Sequence, residues 1–152
     1  MPVYFAYGSN MDEGVLRTRC PGARMRGLGR LARHRFVLMP NGYASVRRDA
    51  GADVHGVLFD LALSDIGPLD RYEDVANGLY LKVFRPVVRH EGAAIQAMLY
   101  IGNENGGGAA PPDYMQGVVA QARKAGLPAA YVATLEKLAH RPAEAGASRH
   151  RS

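Results

Sequence analysis

Short runs of β-forming residues recur through the first hundred residues of this chain, and this pattern limits the possible folds more than any other feature. Clusters of Gly, Pro, Asn and Asp separate several of the runs, as at Pro40-Asn41-Gly42 and at residues 49–53. Many short strands with few helices predict an α+β fold, with a small, mixed, barrel-like sheet and a few flanking helices. The β-like runs are residues 3–7, 23–31, 34–39, 43–47, 54–61, 80–89 and 94–101.

Helical signals are fewer and lie in four places. Residues 10–13 supply a helix start, and Pro21-Gly22 ends that segment. Residues 64–73 predict a short helix that opens with Ser64 as its N-cap. From Pro112 onward the apolar spacing predicts an amphipathic helix that stops at Gly126, and residues 129–138 predict a shorter one.

The length of 152 residues favours one domain, which we place at residues 1–139. Residues 140–152 are polar and aperiodic, and they predict a disordered C-terminal tail. Residues 102–112 are rich in Gly, Asn and Pro, which is typical of a mobile loop beside a binding site.

The net charge of +5 raises the question of a nucleic-acid partner. Nine arginines and no acidic residue lie between Arg17 and Arg48. Several alternate with smaller or apolar residues, as in Arg24-Met25-Arg26 and Arg33-His34-Arg35, and this spacing places them on one face of a strand. A solvated strand face is the favoured interpretation, without nucleic acid as a partner. A surface that attracts acidic molecules or nucleic acid is the alternative.

Membrane and secretory signals are lacking in the sequence. No run approaches the roughly 20 apolar residues of a membrane span, and the N-terminus reads as a first strand, not a signal peptide. The single cysteine, Cys20, rules out an intrachain disulfide and suits a reducing compartment, so we predict a cytoplasmic protein. The oligomeric state stays open between a monomer and a homodimer.

The sequence gives little support for a metal site or for a nucleotide-binding site. The five histidines never fall at the spacing that would place two on one helix turn or strand face, so no metal site is predicted. The chain has neither a phosphate-binding Gly-rich loop ending in Gly-Lys-Ser/Thr nor a Gly-x-Ser-x-Gly nucleophile turn. Cys20 follows Arg19, which would favour a reactive thiolate, but a structural role is favoured because no His is nearby in sequence.

The segment Tyr7-Gly8-Ser9-Asn10 follows the first strand. A strand that turns into a helix exposes consecutive backbone N–H groups, and such arrays bind anions. Glycine allows a ligand to approach the backbone, while Ser and Asn add side-chain donors. An ordinary turn is the alternative explanation.

Glu73 lies in the charged segment 69–75, between apolar residues at both ends. If those apolar residues face the core, Glu73 sits at the rim of a pocket, where burial raises the pKa of its carboxyl toward neutrality. A general acid or base at neutral pH requires such a pKa. The alternative is a solvated charge cluster at a helix end.

Together the two segments resemble the γ-glutamylcyclotransferase family, which includes AIG2-like proteins. The similarity lies in Tyr4-Phe5-Ala6-Tyr7-Gly8-Ser9-Asn10, in Leu69-Asp70-Arg71-Tyr72-Glu73-Asp74-Val75 with Gly78-Leu79-Tyr80, in the middle strands at 43–46 and 54–57, and in Pro111-Pro112-Asp113-Tyr114, Gly126-Leu127-Pro128 and Tyr131. It extends over residues 3–138 and keeps the order of the family's segments.

The resemblance implies a cofactor-independent lyase or acyltransferase of glutathione metabolism. Such an enzyme converts a γ-glutamyl amino acid to 5-oxoproline and the free amino acid, with Glu73 as the proton carrier. Two alternatives stay open: a γ-glutamylamine cyclotransferase of a biosynthetic or amine-degrading pathway, and a non-catalytic small-molecule binder. The resemblance assigns substrate binding to Tyr4, Phe5, Ala6, Tyr7, Gly8, Ser9, Asn10 and Tyr114, while Tyr80 and Tyr100 either line the pocket or pack in the core.

Overall fold

Five strands account for most of the N-terminal part of the chain, and the computed structural model describes residues 1–103 and 109–140. The strands close into a barrel in the order β1-β3-β2-β4-β5, which confirms the predicted α+β fold on a small barrel. All neighbouring pairs are antiparallel except β1 and β5, whose parallel pairing of Tyr4 with Met98 closes the barrel. The strands are β1 (Val3–Ala6), β2 (Arg24–Leu38), β3 (Ala44–Asp60), β4 (Tyr80–Arg89) and β5 (Ala94–Gly102).

Two pairs of predicted strands are each one long strand, so the predicted breaks are wrong. Segments 23–31 and 34–39 merge into β2, and segments 43–47 and 54–61 merge into β3. Residues 49–52 lie opposite the single residue Arg33, whose φ is 63°. The turn residues therefore form a bulge inside a continuous antiparallel pair, because the flanking residues keep their partners on both sides.

The helices are α1 (Glu13–Arg17), α2 (Ile66–Tyr72), α3 (Tyr114–Ala125) and α4 (Ala129–Ala139). Gly126 ends α3 with a φ of 84°, as predicted, and this left-handed conformation is one that glycine adopts without strain. The Ser64 cap is wrong. A 3₁₀ turn at Leu63–Asp65 precedes α2, and the Asp65 carboxylate accepts the backbone N–H of Ala62 at 3.0 Å.

The core divides into two clusters on opposite sides of the barrel wall. One contains buried strand residues, among them Phe5, Leu58 and Leu99, together with Tyr7 just after β1, and fills the barrel interior. The other joins strand residues such as Tyr4 to residues of all four helices, so it lies between the barrel wall and the helices. Alternate residues of β1 enter alternate clusters, as the two-residue period of a strand requires.

Most of the arginines between residues 17 and 48 are exposed, which confirms the solvated strand face for them. Several pair with carboxylates across the surface, as in Arg26 with Asp60 at 3.0 Å and Arg30 with Asp53 at 3.4 Å. Arg19 and Arg30 are only partly exposed, and Arg19 lies beside the cavity described below.

Two predictions concern residues that the structure describes only in part. The loop predicted at 102–112 includes residues 104–108, which lie outside the described residues, so its mobility stays a prediction. The tail predicted at 140–152 lies outside them as well, apart from His140.

Candidate active site

One cavity collects side chains from β1, from the turn after it and from the end of α2. We call it the inner cavity, and its volume is about 30 Å³. Glu73 and the turn residues Gly8, Ser9 and Asn10 all line it, although they lie more than 60 residues apart in the chain. Its lining residues are Tyr4, Phe5, Tyr7, Gly8, Ser9, Asn10, Ala44, Glu73, Tyr80, Tyr100 and Tyr114.

The turn after β1 approaches Tyr114 closely, and this explains the glycine at position 8. A Cβ on residue 8 would lie 3.3 Å from the Tyr114 hydroxyl oxygen and 3.7 Å from the Ala44 Cβ. The helix that was predicted to start within residues 10–13 begins at Glu13, so Met11 and Asp12 separate it from the turn. The turn is fixed from outside the cavity, since Gln121 Nε2 donates to the Ser9 carbonyl oxygen at 2.9 Å.

Glu73 follows the last residue of α2, and its backbone N–H donates to the Leu69 carbonyl at 3.0 Å. Asn10 Nδ2 donates to Glu73 Oε2 at 3.4 Å and to the Tyr4 hydroxyl at 3.2 Å. The residue is half-buried, and its carboxyl group lies in the cavity wall. Burial raises the pKa of the Glu73 carboxyl to about 8, the Arg19 guanidinium opposes the rise, and the Asp70 carboxylate adds to it. A carboxyl with this pKa exchanges protons near neutral pH.

Arg19 is a site residue that the sequence analysis missed. Its Nη1 donates to Asn10 Oδ1 at 2.7 Å, which orients the Asn10 amide so that Nδ2 points toward Glu73. Its guanidinium also lies 3.7 Å from the centre of the Tyr72 ring, an attractive cation–π geometry. No local sequence signal distinguishes Arg19 from the exposed arginines, because its contacts depend on how α2 meets the turn.

Asp70 holds Tyr100, one of the residues that line the inner cavity. It accepts the Tyr100 hydroxyl at 2.6 Å and pairs with Lys82 Nζ at 2.9 Å. The Tyr100 ring in turn packs edge-on against Tyr4, with centroids 6.0 Å apart. Asp70 therefore fixes the position of a residue in the cavity wall.

Five tyrosine hydroxyls surround the inner cavity and divide into two groups. Tyr7, Tyr80 and Tyr100 donate to the Tyr100 carbonyl, the Ala44 carbonyl and the Asp70 carboxylate. The Tyr4 hydroxyl accepts from Asn10, and the Tyr114 hydroxyl accepts the Ala44 N–H at 3.3 Å. An accepting hydroxyl keeps its own proton to donate. The Tyr114 hydroxyl also shares a hydrogen bond with the Tyr80 hydroxyl, so Tyr4 is the better placed of the two to donate to an anionic or carbonyl oxygen in the cavity.

Other residues singled out by sequence lie away from the inner cavity. Ala6 is buried in the cluster between barrel and helices, so it supports the wall without lining the cavity. Burial raises the pKa of the Cys20 thiol to about 11, which disfavours a thiolate at neutral pH. Within residues 1–103 and 109–140, no group of three His, Cys, Asp or Glu side chains is close enough to hold a metal ion.

A second depression, the outer hollow, adjoins the inner cavity and has a volume of about 90 Å³. Ser9, Glu73, Tyr80 and Tyr114 line both spaces. Glu73 thus lies at the boundary between them. The outer hollow is completed by Tyr43, Tyr72 and Leu79.

Comparison with known proteins places this geometry in a family. The sequence model described as the AIG2-like family matches residues 53–135, more than half of the chain. This chain belongs to the AIG2-like family. The resemblance seen in the sequence is thereby confirmed.

Curated relatives of this AIG2-like chain include the human protein named gamma-glutamylcyclotransferase, which is 26% identical over 146 residues. The mouse protein of the same name is 27% identical. In both cases the alignment covers 90% of this chain and 78% of the relative.

Solved structures give the same result for the fold. A structure named gamma-glutamyl cyclotransferase superposes with a TM-score of 0.78 at 26% identity, and the match covers 89% of this chain and 86% of that one. YkqA from Bacillus subtilis shares the fold with a TM-score of 0.75 at 20% identity; the match covers 91% of this chain and 54% of that one. No helix among the described residues has the length and apolar character needed to cross a membrane.

Arg19→Gln is expected to raise the pKa of Glu73 further. The substitution removes the positive charge that favours the carboxylate, while a glutamine amide can still donate toward Asn10 Oδ1. The measurement is a titration of the Glu73 carboxyl followed by ¹³C NMR. Arg17→Gln is the matched control, because Arg17 is exposed on α1 and should leave the titration unchanged. An unchanged or lower Glu73 pKa in Arg19→Gln would contradict the assignment of Arg19.

Proposed function

We propose that this chain is a γ-glutamylcyclotransferase that converts a γ-glutamyl amino acid to 5-oxoproline and the free amino acid. The observation that carries the proposal is the shared cavity, in which a carboxyl with a raised pKa, that of Glu73, lies beside the Gly8-Ser9-Asn10 turn. The names of the human and mouse relatives point to the same reaction. A cytoplasmic location belongs to the proposal and agrees with the buried free thiol of Cys20.

In this reaction the α-amine of the substrate attacks its own γ-carbonyl carbon. A carbon–nitrogen bond forms and closes a five-membered ring, and the original amide bond then breaks. Because the nucleophile is tethered to the carbonyl, its effective molarity can reach about 10⁵ M or more. The protein's main tasks are therefore to orient the chain of the substrate and to move one proton.

We assign the transfer of that proton to Glu73. Its carboxylate accepts a proton from the substrate ammonium group and returns it to the departing nitrogen, so one residue serves both steps. Its place at the boundary of the two spaces supports this role, because the attacking and departing nitrogens lie on either side of the same carbonyl carbon.

The turn and the tyrosines are assigned to the oxygens of the substrate. Gly8, Ser9 and Asn10 form one wall of the cavity, with the Tyr4 hydroxyl as a further donor and the Tyr114 hydroxyl beside it in the cavity lining. Donors fixed before the reaction stabilise a developing oxyanion, and loss of one such donor typically costs about 3 kcal/mol.

The experiment that tests the proposal is incubation with γ-glutamyl-alanine, with mass detection of 5-oxoproline and free alanine. A parallel incubation with a γ-glutamyl amine separates the amino-acid and amine types of cyclotransferase. Release of glutamate would identify a hydrolase, and binding without either product would identify a non-catalytic binder. Either result would contradict the proposed reaction.

The pH profile is expected to show an acidic limb near pH 8. Glu73 must be ionised and the substrate must hold the proton as its ammonium group, so kcat/KM should rise about tenfold per pH unit up to the pKa of about 8 and fall again where the substrate ammonium is deprotonated. Rates of 5-oxoproline formation between pH 5.5 and 9.5 check this, with circular dichroism to show that the fold persists. A profile that stays flat from pH 6 to 8 would remove Glu73 as the base.

A further inference from the structure

The outer hollow is the larger of the two connected spaces, and the proposed reaction does not by itself say what fills it. Glu73 lines both spaces and must reach the departing nitrogen as well as the attacking one. A γ-glutamyl group seated on the Gly8-Ser9-Asn10 turn therefore directs its scissile bond toward the boundary. The group attached to the departing nitrogen then enters the outer hollow.

Two aromatic rings and one aliphatic side chain distinguish the outer hollow from the inner cavity. The Tyr43 ring packs edge-on against Tyr114, with centroids 5.2 Å apart. The Tyr72 hydroxyl shares a hydrogen bond with the Ser9 hydroxyl at 2.9 Å, and the Arg19 guanidinium stacks on the Tyr72 ring. Each ring is thus fixed by a second contact, so the apolar walls are formed before a ligand arrives.

Leu79 completes these walls and is also fixed in position. It is 9% exposed, its backbone N–H donates to the Asp74 carbonyl at 3.1 Å, and its carbonyl accepts the Asn103 N–H at 2.9 Å. A buried leucine that lines the same hollow as the Tyr43 and Tyr72 rings offers an incoming group further contacts with apolar carbon atoms.

The charges around the outer hollow also favour an uncharged side chain on the departing group. Among the described residues that line the outer hollow, Glu73 is the one acidic side chain, and none is basic. A departing amino acid with a carboxylate side chain would add a further negative charge near Glu73 to that of its own α-carboxylate, which disfavours the ionised form of Glu73 that accepts the proton. A cationic side chain would pair with that carboxylate and lower its basicity.

We infer that the outer hollow binds the side chain of the departing amino acid and selects large apolar or aromatic side chains over small or charged ones. This inference rests on the proposed cyclotransferase reaction. Tyr43, Tyr72 and Leu79 determine the specificity in this assignment, and Glu73 keeps its role as proton carrier.

The test compares kcat/KM of the wild-type protein for γ-glutamyl-phenylalanine, γ-glutamyl-alanine and γ-glutamyl-glutamate. The phenylalanine substrate is expected to exceed the alanine substrate about tenfold or more, because several apolar carbons are buried in place of one methyl group. The glutamate substrate is expected to be the poorest. Equal values for all three, or a preference for the glutamate substrate, would overturn the inference.

Tyr43→Ala tests the wall directly. It should lower the ratio of kcat/KM for the phenylalanine substrate to kcat/KM for the alanine substrate to near one, because the phenylalanine side chain loses an apolar wall that the alanine methyl group does not reach. Phe84→Ala is the matched control, because Phe84 is 57% exposed on β4 and lines neither space. A Tyr43→Ala protein that loses activity equally on all three substrates would contradict the assignment.

A measurement on the wild-type protein keeps the test valid if Tyr43→Ala does not fold. Free phenylalanine should inhibit turnover of γ-glutamyl-alanine more strongly than free alanine or glutamate, since it occupies the same hollow as a product. Equal inhibition would overturn the inference. Absence of turnover on every γ-glutamyl substrate would instead refute the proposed function, so the two failures are distinguishable.

Discussion

Glu73→Gln is expected to lower kcat/KM for a γ-glutamyl amino acid by about a thousandfold, because general acid–base residues typically contribute between a hundred- and ten-thousandfold. Glutamine has nearly the same shape as glutamate and can accept from Asn10 Nδ2 through its side-chain oxygen, but it cannot take a proton from the substrate. The measurement is steady-state formation of 5-oxoproline at pH 9, where the wild-type carboxyl is ionised.

The loss of activity in Glu73→Gln must be distinguished from unfolding. The pKa of Glu73 predicts how the stability of the variant should differ from that of the wild-type protein. Its folded value of about 8 lies above its usual 4.5, so its contribution to stability is full below pH 4.5 and is lost as the pH rises through 8. The upper limit of that loss is about 5 kcal/mol, at roughly 1.4 kcal/mol for each of 3.5 pH units. Because Glu73 is only partly buried, the loss of stability is smaller than this upper limit. The Gln variant should therefore unfold at the same or a higher urea concentration than wild type at pH 9.

Asp74→Asn is the matched control for Glu73→Gln. Asp74 lines neither space, and its φ of 55° lies in the left-handed region, which asparagine tolerates as well as aspartate. The same amide-for-carboxylate exchange one position along the chain should leave kcat/KM nearly unchanged. Retained turnover in Glu73→Gln, or an equal loss in Asp74→Asn, would exclude Glu73 as the proton carrier.

The barrel was predictable from sequence because its signals are local. Alternating apolar residues and turn clusters mark the strands, and these preferences act over a few residues. The bulge at 49–52 shows where local signals end. A turn sequence there predicts a chain reversal, but the cross-strand pairs on both sides of Arg33 keep β3 continuous. The pairing of β3 with β2 keeps the strand continuous at this point, and no local sequence pattern predicts that pairing.

The sequence predicted residues that line the site, but it did not predict the residues that hold them in place. The turn after β1 and Glu73 were selected because a known family combines those motifs, and the structure brings them to one cavity. Arg19 was counted among surface arginines, since its contacts to Asn10 and Tyr72 arise only when α2 packs beside the turn. Tyr43 and Tyr72 likewise read as ordinary aromatic residues until the outer hollow is seen.

Gly56→Ala is expected to destabilise the protein by about 3 kcal/mol, at the upper end of overpacking effects. A Cβ on residue 56 would lie 2.3 Å from the Ala6 carbonyl oxygen and 2.9 Å from two atoms of the Phe5 ring. The carbonyl cannot move aside freely, because β1 pairs with β3 on one side and with β5 on the other. Urea denaturation followed by circular dichroism measures the change.

The effect should extend to the site, because β1 leads directly into the Gly8 turn. Gly51→Ala is the matched control within the same strand: its Cβ would meet only the Asp49 side chain, at 3.7 Å, and the position is exposed. A surface substitution of this kind usually changes stability by less than about 0.5 kcal/mol. If Gly56→Ala were as stable as Gly51→Ala, the close approach of β1 to β3 would not be a requirement of the barrel. The fixed position of the turn relative to Glu73 would then need a different structural explanation.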